Sequence, residues 1–234
     1  MLQTIRFSSY LEALALEIKK TRSAEKSTLR LMAAGARLLE QIGYRDLSID
    51  QICLEARLAK GTFYIYFESK DIFLNQLISR YFAFEQNTYP QFSINQSGFQ
   101  SALSWVGWYE RTFATNVGVL RAVVELGATS DAHLRLWHQR NKVLVDRIVE
   151  QVERRLDAAL PPESKHLLIL SIRSVGGMMD QSLFERYRIG VSVGRDENDP
   201  DLMIELHALL IYRAIYGKNP DVSELHLTRA FCLT

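Results

Sequence analysis

The stretch Leu47-Ser48-Ile49-Asp50-Gln51-Ile52-Cys53-Leu54-Glu55-Ala56-Arg57-Leu58-Ala59-Lys60-Gly61-Thr62-Phe63-Tyr64-Ile65-Tyr66-Phe67 decides how this chain is read. Ser48 followed by Gln51 three residues on is a capping-box pattern, so a helix starts there and runs to about Ala56. A three-residue connection leads into a second short helix, Lys60 to Phe67. A longer helix precedes the pair, from about Ser27 to Ile42. Leu31, Leu38, Leu39 and Ile42 face inward on it, and Gly43 ends it. Ser69 caps the next helix, with Asp71 in its first turn, and that helix continues to about Gln86. Two short helices joined by a tight turn and packed on a longer one form a helix-turn-helix unit.

The side chains of the second short helix fit the chemistry of a DNA groove. A short helix can enter a major groove about 12 Å wide and reach base edges with its N-terminal residues. Lys60 can meet a phosphate or a guanine edge, Gly61 lets the backbone come close, and Thr62 offers a hydroxyl and a methyl group. Tyr64 and Tyr66 carry hydroxyls suited to phosphate oxygens, and core packing is the alternative for both; Phe63 and Phe67 are core. Lys70 stands at a helix start, where its ammonium and the free N–H groups both favour an anion.

Working outward, 234 residues with 47% hydrophobic and 24% charged residues suit a globular chain of one large or two small domains. Two cysteines, Cys53 and Cys232, exclude a disulfide scaffold and a cysteine-rich zinc site, and point to a reducing compartment, the cytoplasm. The longest apolar run, Ala208 to Tyr212, is far short of a membrane span. The net charge of +1 is unevenly spread: residues 1–70 hold 11 Lys+Arg against 8 Asp+Glu, and the remainder 17 against 19. A basic first third points weakly to nucleic acid.

The apolar spacing is mostly three and four, so the expected class is all-α, with about nine to ten helices. A short helix over Leu11 to Ile18 is expected in an N-terminal extension, 1–25, ahead of a helix-turn-helix domain at 26–72. Further helices are expected near 98–115, 117–129, 131–159, 162–188 and 200–216, within a second domain at 73–216. The tail, 217–234, carries no assigned element.

Leu31 to Phe73 resembles the N-terminal DNA-binding domain of the TetR family of bacterial transcriptional regulators. The matching residues are Leu31-Met32, Ala34, Leu38-Leu39, Gly43-Tyr44, Leu47-Ser48-Ile49, Ile52, Glu55-Ala56, Lys60-Gly61-Thr62-Phe63-Tyr64, Tyr66-Phe67 and Ser69-Lys70-Asp71. The resemblance implies an all-helical homodimer with a DNA-reading N-terminal domain and a C-terminal domain for ligand binding and dimerisation. It implies groove contacts by Lys60, Gly61, Thr62 and Tyr64, and phosphate contacts by Ser48, Tyr66 and Lys70. Arg45 and the Lys19-Lys20-Thr21-Arg22 cluster are weaker candidates, the cluster being either a DNA-reaching arm or a solvated helix end. Two positions depart from the pattern: Arg57 stands where the family usually has glycine, and Ala59 where it has a Ser or Thr cap. Arg57 is available as an extra phosphate contact.

The same resemblance implies an effector pocket among the central helices. Trp105, Trp108, Tyr109, Phe113, Trp137, His138, Met178 and Phe184 are the candidate lining, suited to a hydrophobic or aromatic effector; ordinary core is the alternative for each. The candidate dimer helices are 162–188, through Leu168, Ile172, Val175, Gly176, Met179 and Leu183, and 200–216, through Leu202, Leu206, Leu209 and Arg213. The Gly176-Gly177 pair marks either a close helix approach or a kink. His133 and His138 lie five apart on one helix, a poor metal pair, so neither metal nor cofactor is expected. No nucleophile–base motif, metal spacing or glycine-rich phosphate loop supports an enzyme. The expected function is a ligand-responsive repressor on a palindromic operator. The alternative is an effector-free DNA-binding regulator controlled by a protein partner.

Overall fold

Apolar side chains recurring every three or four residues wind the chain into helices. The computed structural model has ten of them, with no strand among the described residues, which are 6–18, 23–93, 95–127, 131–189 and 199–232. They are α1 (Phe7–Glu17), α2 (Ser23–Leu39), α3 (Ile49–Ala56), α4 (Lys60–Tyr66), α5 (Lys70–Thr88), α6 (Gly98–Thr115), α7 (Val117–Gly127), α8 (Asp131–Leu156), α9 (Pro162–Phe184) and α10 (Pro200–Tyr216). A π-helical turn, Glu185–Ile189, continues α9, and 3-10 turns occupy Val222–Glu224 and Arg229–Cys232 in the tail. The all-α class is thus the fold observed.

The chain divides into two compact units, Met1–Thr88 with Thr112–Trp137, and Tyr89–Arg111 with His138–Thr234. The boundary expected at residue 73 falls inside α5. Phe73 is fully buried there, its ring centroid 5.5 Å from Phe63 and 5.0 Å from Phe67, so the start of α5 shares the core of α4. Gly35 of α2 makes room for this cluster: a Cβ on it would lie 2.5 Å from the Phe73 ring.

Within the first unit, α1 packs along α2, with Phe7 set edge-on to Tyr81 and 5.4 Å from Phe84. The Phe7 N–H donates to Asn116 Oδ1 at 2.7 Å. Arg37 of α2 pairs with Glu12 of α1 and with Glu55 of α3, joining three helices. The end of α2 leaves carbonyls with no helical partner, and Arg121 of α7 meets one of them, Leu39 O at 3.0 Å, together with Ile42 O just beyond the helix at 2.6 Å. Gly118 sits so close beneath that a Cβ would overlap the Leu39 carbonyl.

The second unit is built on α9, α10, α8 from His138 onward and α6 as far as Arg111. Pro200 opens α10 behind the Asp199 cap, which accepts from the Asp201 and Leu202 N–H groups, and Gly217 closes it with a left-handed φ of 64°. The tail returns to α10 through Glu205. One oxygen of this buried carboxylate accepts from the His226, Leu227 and Thr228 N–H groups and from the Thr228 hydroxyl, at 2.7–3.0 Å.

Candidate functional site

The helix-turn-helix is fixed from its backbone outward. Ser48 Oγ accepts from the Gln51 N–H at 3.2 Å while Gln51 Oε1 accepts from the Ser48 N–H at 2.7 Å, so the capping box holds the start of α3. At the other end Arg57 adopts a left-handed conformation, φ 53° and ψ 47°, and the Leu58 N–H reaches back to Cys53 O at 2.9 Å. This is the cap that glycine usually supplies, and a side chain in it costs about 1–2 kcal/mol. The Arg57 side chain is exposed. Arg30 of α2 donates to Ala56 O at 2.6 Å, closing the same helix end. Ala59 precedes α4 and supplies no side-chain cap.

α4 presents one face to the core and one to solvent. Phe63 is fully buried, whereas Lys60 and Gly61 are exposed and Tyr64 is half exposed. Gly61 has open space on all sides, and Thr62 and Tyr66 are half-buried. Lys60 Nζ is bound by both oxygens of Asp50, at 2.8 and 3.1 Å, and this carboxylate raises its pKa, so it is a fixed cation. Ser48 is exposed beside it in sequence at the head of α3.

Lys70 is placed differently from the expectation. Its Nζ donates to Tyr44 O at 3.2 Å and Leu47 O at 2.8 Å and lies 4.4 Å from the centre of the Tyr44 ring. The ammonium thus meets two carbonyls of the α2–α3 connection, of which Tyr44 O also accepts from the Leu47 N–H at 3.3 Å. Tyr44 donates to Asp71 at 2.6 Å, and burial together with that carboxylate pushes its pKa up to about 12. Arg45 is exposed, and the Lys19–Arg22 cluster lies outside the described residues. Asp50, Arg30 and Arg121 shape this surface without having been singled out in the sequence. Their roles depend on which carbonyl or ammonium lies opposite, and no local spacing encodes that.

The effector candidates scatter. Trp105, Trp108 and Tyr109 are buried in the second unit, with Trp105 stacked on Tyr109 at 5.3 Å. Tyr109 donates to Asp180 and accepts from Arg140 at 3.0 Å, and burial raises its pKa well above the ordinary value. Phe113 is buried in the first unit, Trp137 and Phe184 are half-buried, and His138 and Met178 are exposed, so these last two do not line an interior pocket. The second unit does hold a cavity of about 30 Å³, and of the eight candidates only Trp105 borders it. The same unit holds buried polar atoms with no hydrogen-bond partner: Tyr89 Oη, Trp105 Nε1, Trp108 Nε1 and Glu110 Oε2. The other Glu110 oxygen is 3.0 Å from His207 Nδ1. Among the described residues no cluster of metal-ligating side chains occurs, and no helix is long and apolar enough to cross a membrane.

The residues expected at the dimer contact divide between core and partly exposed positions. Leu168, Ile172, Met179 and Leu183 are buried within the chain's own core, as is Leu209 of α10. Val175, Gly176, Leu202, Leu206 and Arg213 are half-buried. The outward face of α9 carries Leu167, Leu170 and Met178, exposed by 57%, 44% and 57%. α9 is apolar on two sides, so periodicity alone could not say which side meets the core. It runs without interruption through Gly176-Gly177, which excludes a break there.

Residues 31–77 match the family model of bacterial regulatory proteins, tetR family. The HTH-type transcriptional regulator EthR of Mycobacterium tuberculosis is 27% identical over 118 residues, 49% of this chain and 55% of that protein. The uncharacterized HTH-type transcriptional regulator YuxN of Bacillus subtilis is 36% identical over 58 residues, 25% of this chain and 20% of that protein. This chain therefore spans about half the length of one curated relative and a fifth of the other. A solved structure of a tetR-family transcriptional regulator from Streptomyces coelicolor shares the fold, with a TM-score of 0.61 at 16% identity, over 84% of this chain and 91% of that one. Residues 31–77 are thus similar to the DNA-binding domain of tetR-family transcriptional regulators, and the chain shares its fold with one of them.

Proposed function

We propose that the chain is a transcriptional regulator of the bacterial cytoplasm that lays α4 in the major groove of an operator and represses from it. The observation that carries this reading is the exposed face of α4, with Lys60, Gly61 and Tyr64 outward on a buried Phe63 anchor. Lys60, Gly61, Thr62 and Tyr64 read the groove. Ser48, Arg57 and Tyr66 hold phosphates, and Lys70 holds the turn that positions them. A two-fold dimer presents two such helices to half-sites about 34–36 Å apart, and we assign the dimer contact to the outward face of α9 through Leu167, Leu170 and Met178. A small apolar effector in the second unit shifts the dimer away from the operator-binding arrangement. Support for an effector comes from the buried Trp105 and Glu110 atoms that have no partner in the chain. The small cavity favours a second reading, an effector-free regulator under a protein partner.

The test begins with a duplex recovered from a random library by rounds of selection on the protein. Lys60→Ala is expected to weaken its binding by about 1–3 kcal/mol and to flatten the salt dependence by about one unit of slope. Unchanged affinity and slope would remove α4 from the interface. Met178→Glu is expected to give a monomer in sedimentation at micromolar concentration, and a persistent dimer would relocate the contact.

A further inference from the structure

We propose that the cavity of the second unit seats the carboxylate head of a monocarboxylate with an aliphatic tail. This rests on the reading that the unit binds a small-molecule effector, and it names that effector's chemistry. The cavity lies among α6, α8 and α10, and its volume of about 30 Å³ accommodates something the size of a water or a small head group.

Of the polar side chains bordering this cavity, Gln151 and Tyr216 can accept as well as donate, whereas Trp105 and Arg155 are donors only. The Trp105 indole N–H is buried and has no partner. Arg155 borders the same space and donates to neutral oxygens: Gln96 O at 2.6 Å, Ser97 O at 3.4 Å and Ser101 Oγ at 2.9 Å. No carboxylate of the described residues lies within ion-pair distance of it. Glu224, at the same end of the unit, accepts from the Ser97 hydroxyl. A guanidinium held among neutral acceptors and a buried N–H without an acceptor are both completed by one carboxylate, which takes charge-assisted bonds from a planar fork. An amine head would meet a cation and a donor, and an alcohol would satisfy the indole while leaving the guanidinium without a counter-charge.

The walls decide the tail. Ile148 and Val152 of α8 and Ile211 and Ile215 of α10 face the cavity. These branched aliphatic side chains suit a methylene chain better than a flat ring. Room for the tail opens as these side chains part, so the ligand favours a rearranged unit over the packed one, which is how a ligand shifts a conformational equilibrium.

Calorimetry on the full chain without DNA tests this with octanoate, octanol, octylamine and benzoate. Octanoate is expected to bind, octanol about tenfold more weakly, since the charged hydrogen bond is lost, and benzoate more weakly than octanoate. Octylamine is expected not to bind. Arg155→Gln should lower octanoate affinity about tenfold and erase the preference over octanol. Trp105→Phe keeps the ring, removes the N–H and should weaken octanoate by a smaller factor. It carries the test if circular dichroism shows that Arg155→Gln does not fold. Equal binding of octanoate and octanol, no binding of octanoate, or indifference to both substitutions overturns the proposal. Duplex release by a non-carboxylate alone would overturn the ligand class and leave the regulator reading standing. Octanoate binding without duplex release would do the reverse.

Discussion

The two units use their polar side chains differently, although Glu205 and Arg155 of the second also bind backbone groups. In the first, they close backbone ends: Ser48 and Gln51 at the head of α3, Arg30 at its end, Arg121 at the end of α2, and Lys70 on the connection between them. Each bond fixes the main chain, so the surface of α4 is held by groups that do not belong to it. In the second, polar side chains are buried with one another, as in Asp180–Tyr109–Arg140 and Glu110–His207, and several atoms beside them have no partner. Buried polar atoms left unbonded cost about 1–3 kcal/mol each. A rigid frame suits a surface that must match a groove, and an interior with unfilled polar valence suits one that closes on something else.

Three substitutions would break or sharpen this contrast. The largest effect is expected from Phe73→Ala, which empties the centre of the Phe63–Phe67–Phe73 cluster and should cost about 3–5 kcal/mol in denaturant unfolding. A loss below 1 kcal/mol would mean that the cluster is not what holds α4.

Next is Glu205→Gln, which removes the charge that gathers the tail and should cost about 2 kcal/mol. Burial pushes the Glu205 pKa up, but the hydrogen bonds from Thr228, Leu227 and His226 outweigh it, and the value falls below the ordinary 4.5. A depressed native value means that the stabilisation is complete at neutral pH and lost as pH falls through the native pKa. Unfolding midpoints measured below pH 4.5 should therefore fall more steeply in the parent than in Glu205→Gln. Parallel curves would remove the charge from the tail's attachment.

The smallest effect is expected from Arg57→Gly. Relief of the left-handed strain, less the greater freedom of an unfolded glycine, leaves a gain of about 0.5–1 kcal/mol. If Arg57 meets a phosphate, the salt slope of duplex binding drops by about one at the same time. A more stable protein with an unchanged slope would make Arg57 a structural accident of the turn.

The sequence was most legible where chemistry is local. The Ser48–Gln51 box, the turn at Arg57, and the limits of α6 and α10 all follow from residues within a few positions of one another. The faces of α9 did not. Leu168, Ile172, Met179 and Leu183 form one apolar stripe, and Leu167, Leu170 and Met178 form another, and only packing tells inside from outside. Lys70 shows a related ambiguity: a lysine at a helix start fits an anion or the carbonyls of a neighbouring connection equally well. The effector residues were chosen for aromaticity, whereas the cavity is walled mainly by aliphatic groups and closed by Arg155, far along the chain from Trp105.

Trp105 and Trp108 also give the molecule a built-in optical reporter. Both indoles are buried in α6 with their N–H groups unbonded, Tyr109 stacked on one and Tyr89 edge-on to the other at 5.3 Å. Indoles in such dry surroundings emit toward the blue, and each has a tyrosine close enough to feed it excitation. Of the three tryptophans in the chain only Trp137 lies in the first unit. The colour of the protein's own fluorescence therefore reports chiefly on the surroundings of α6 in the second unit.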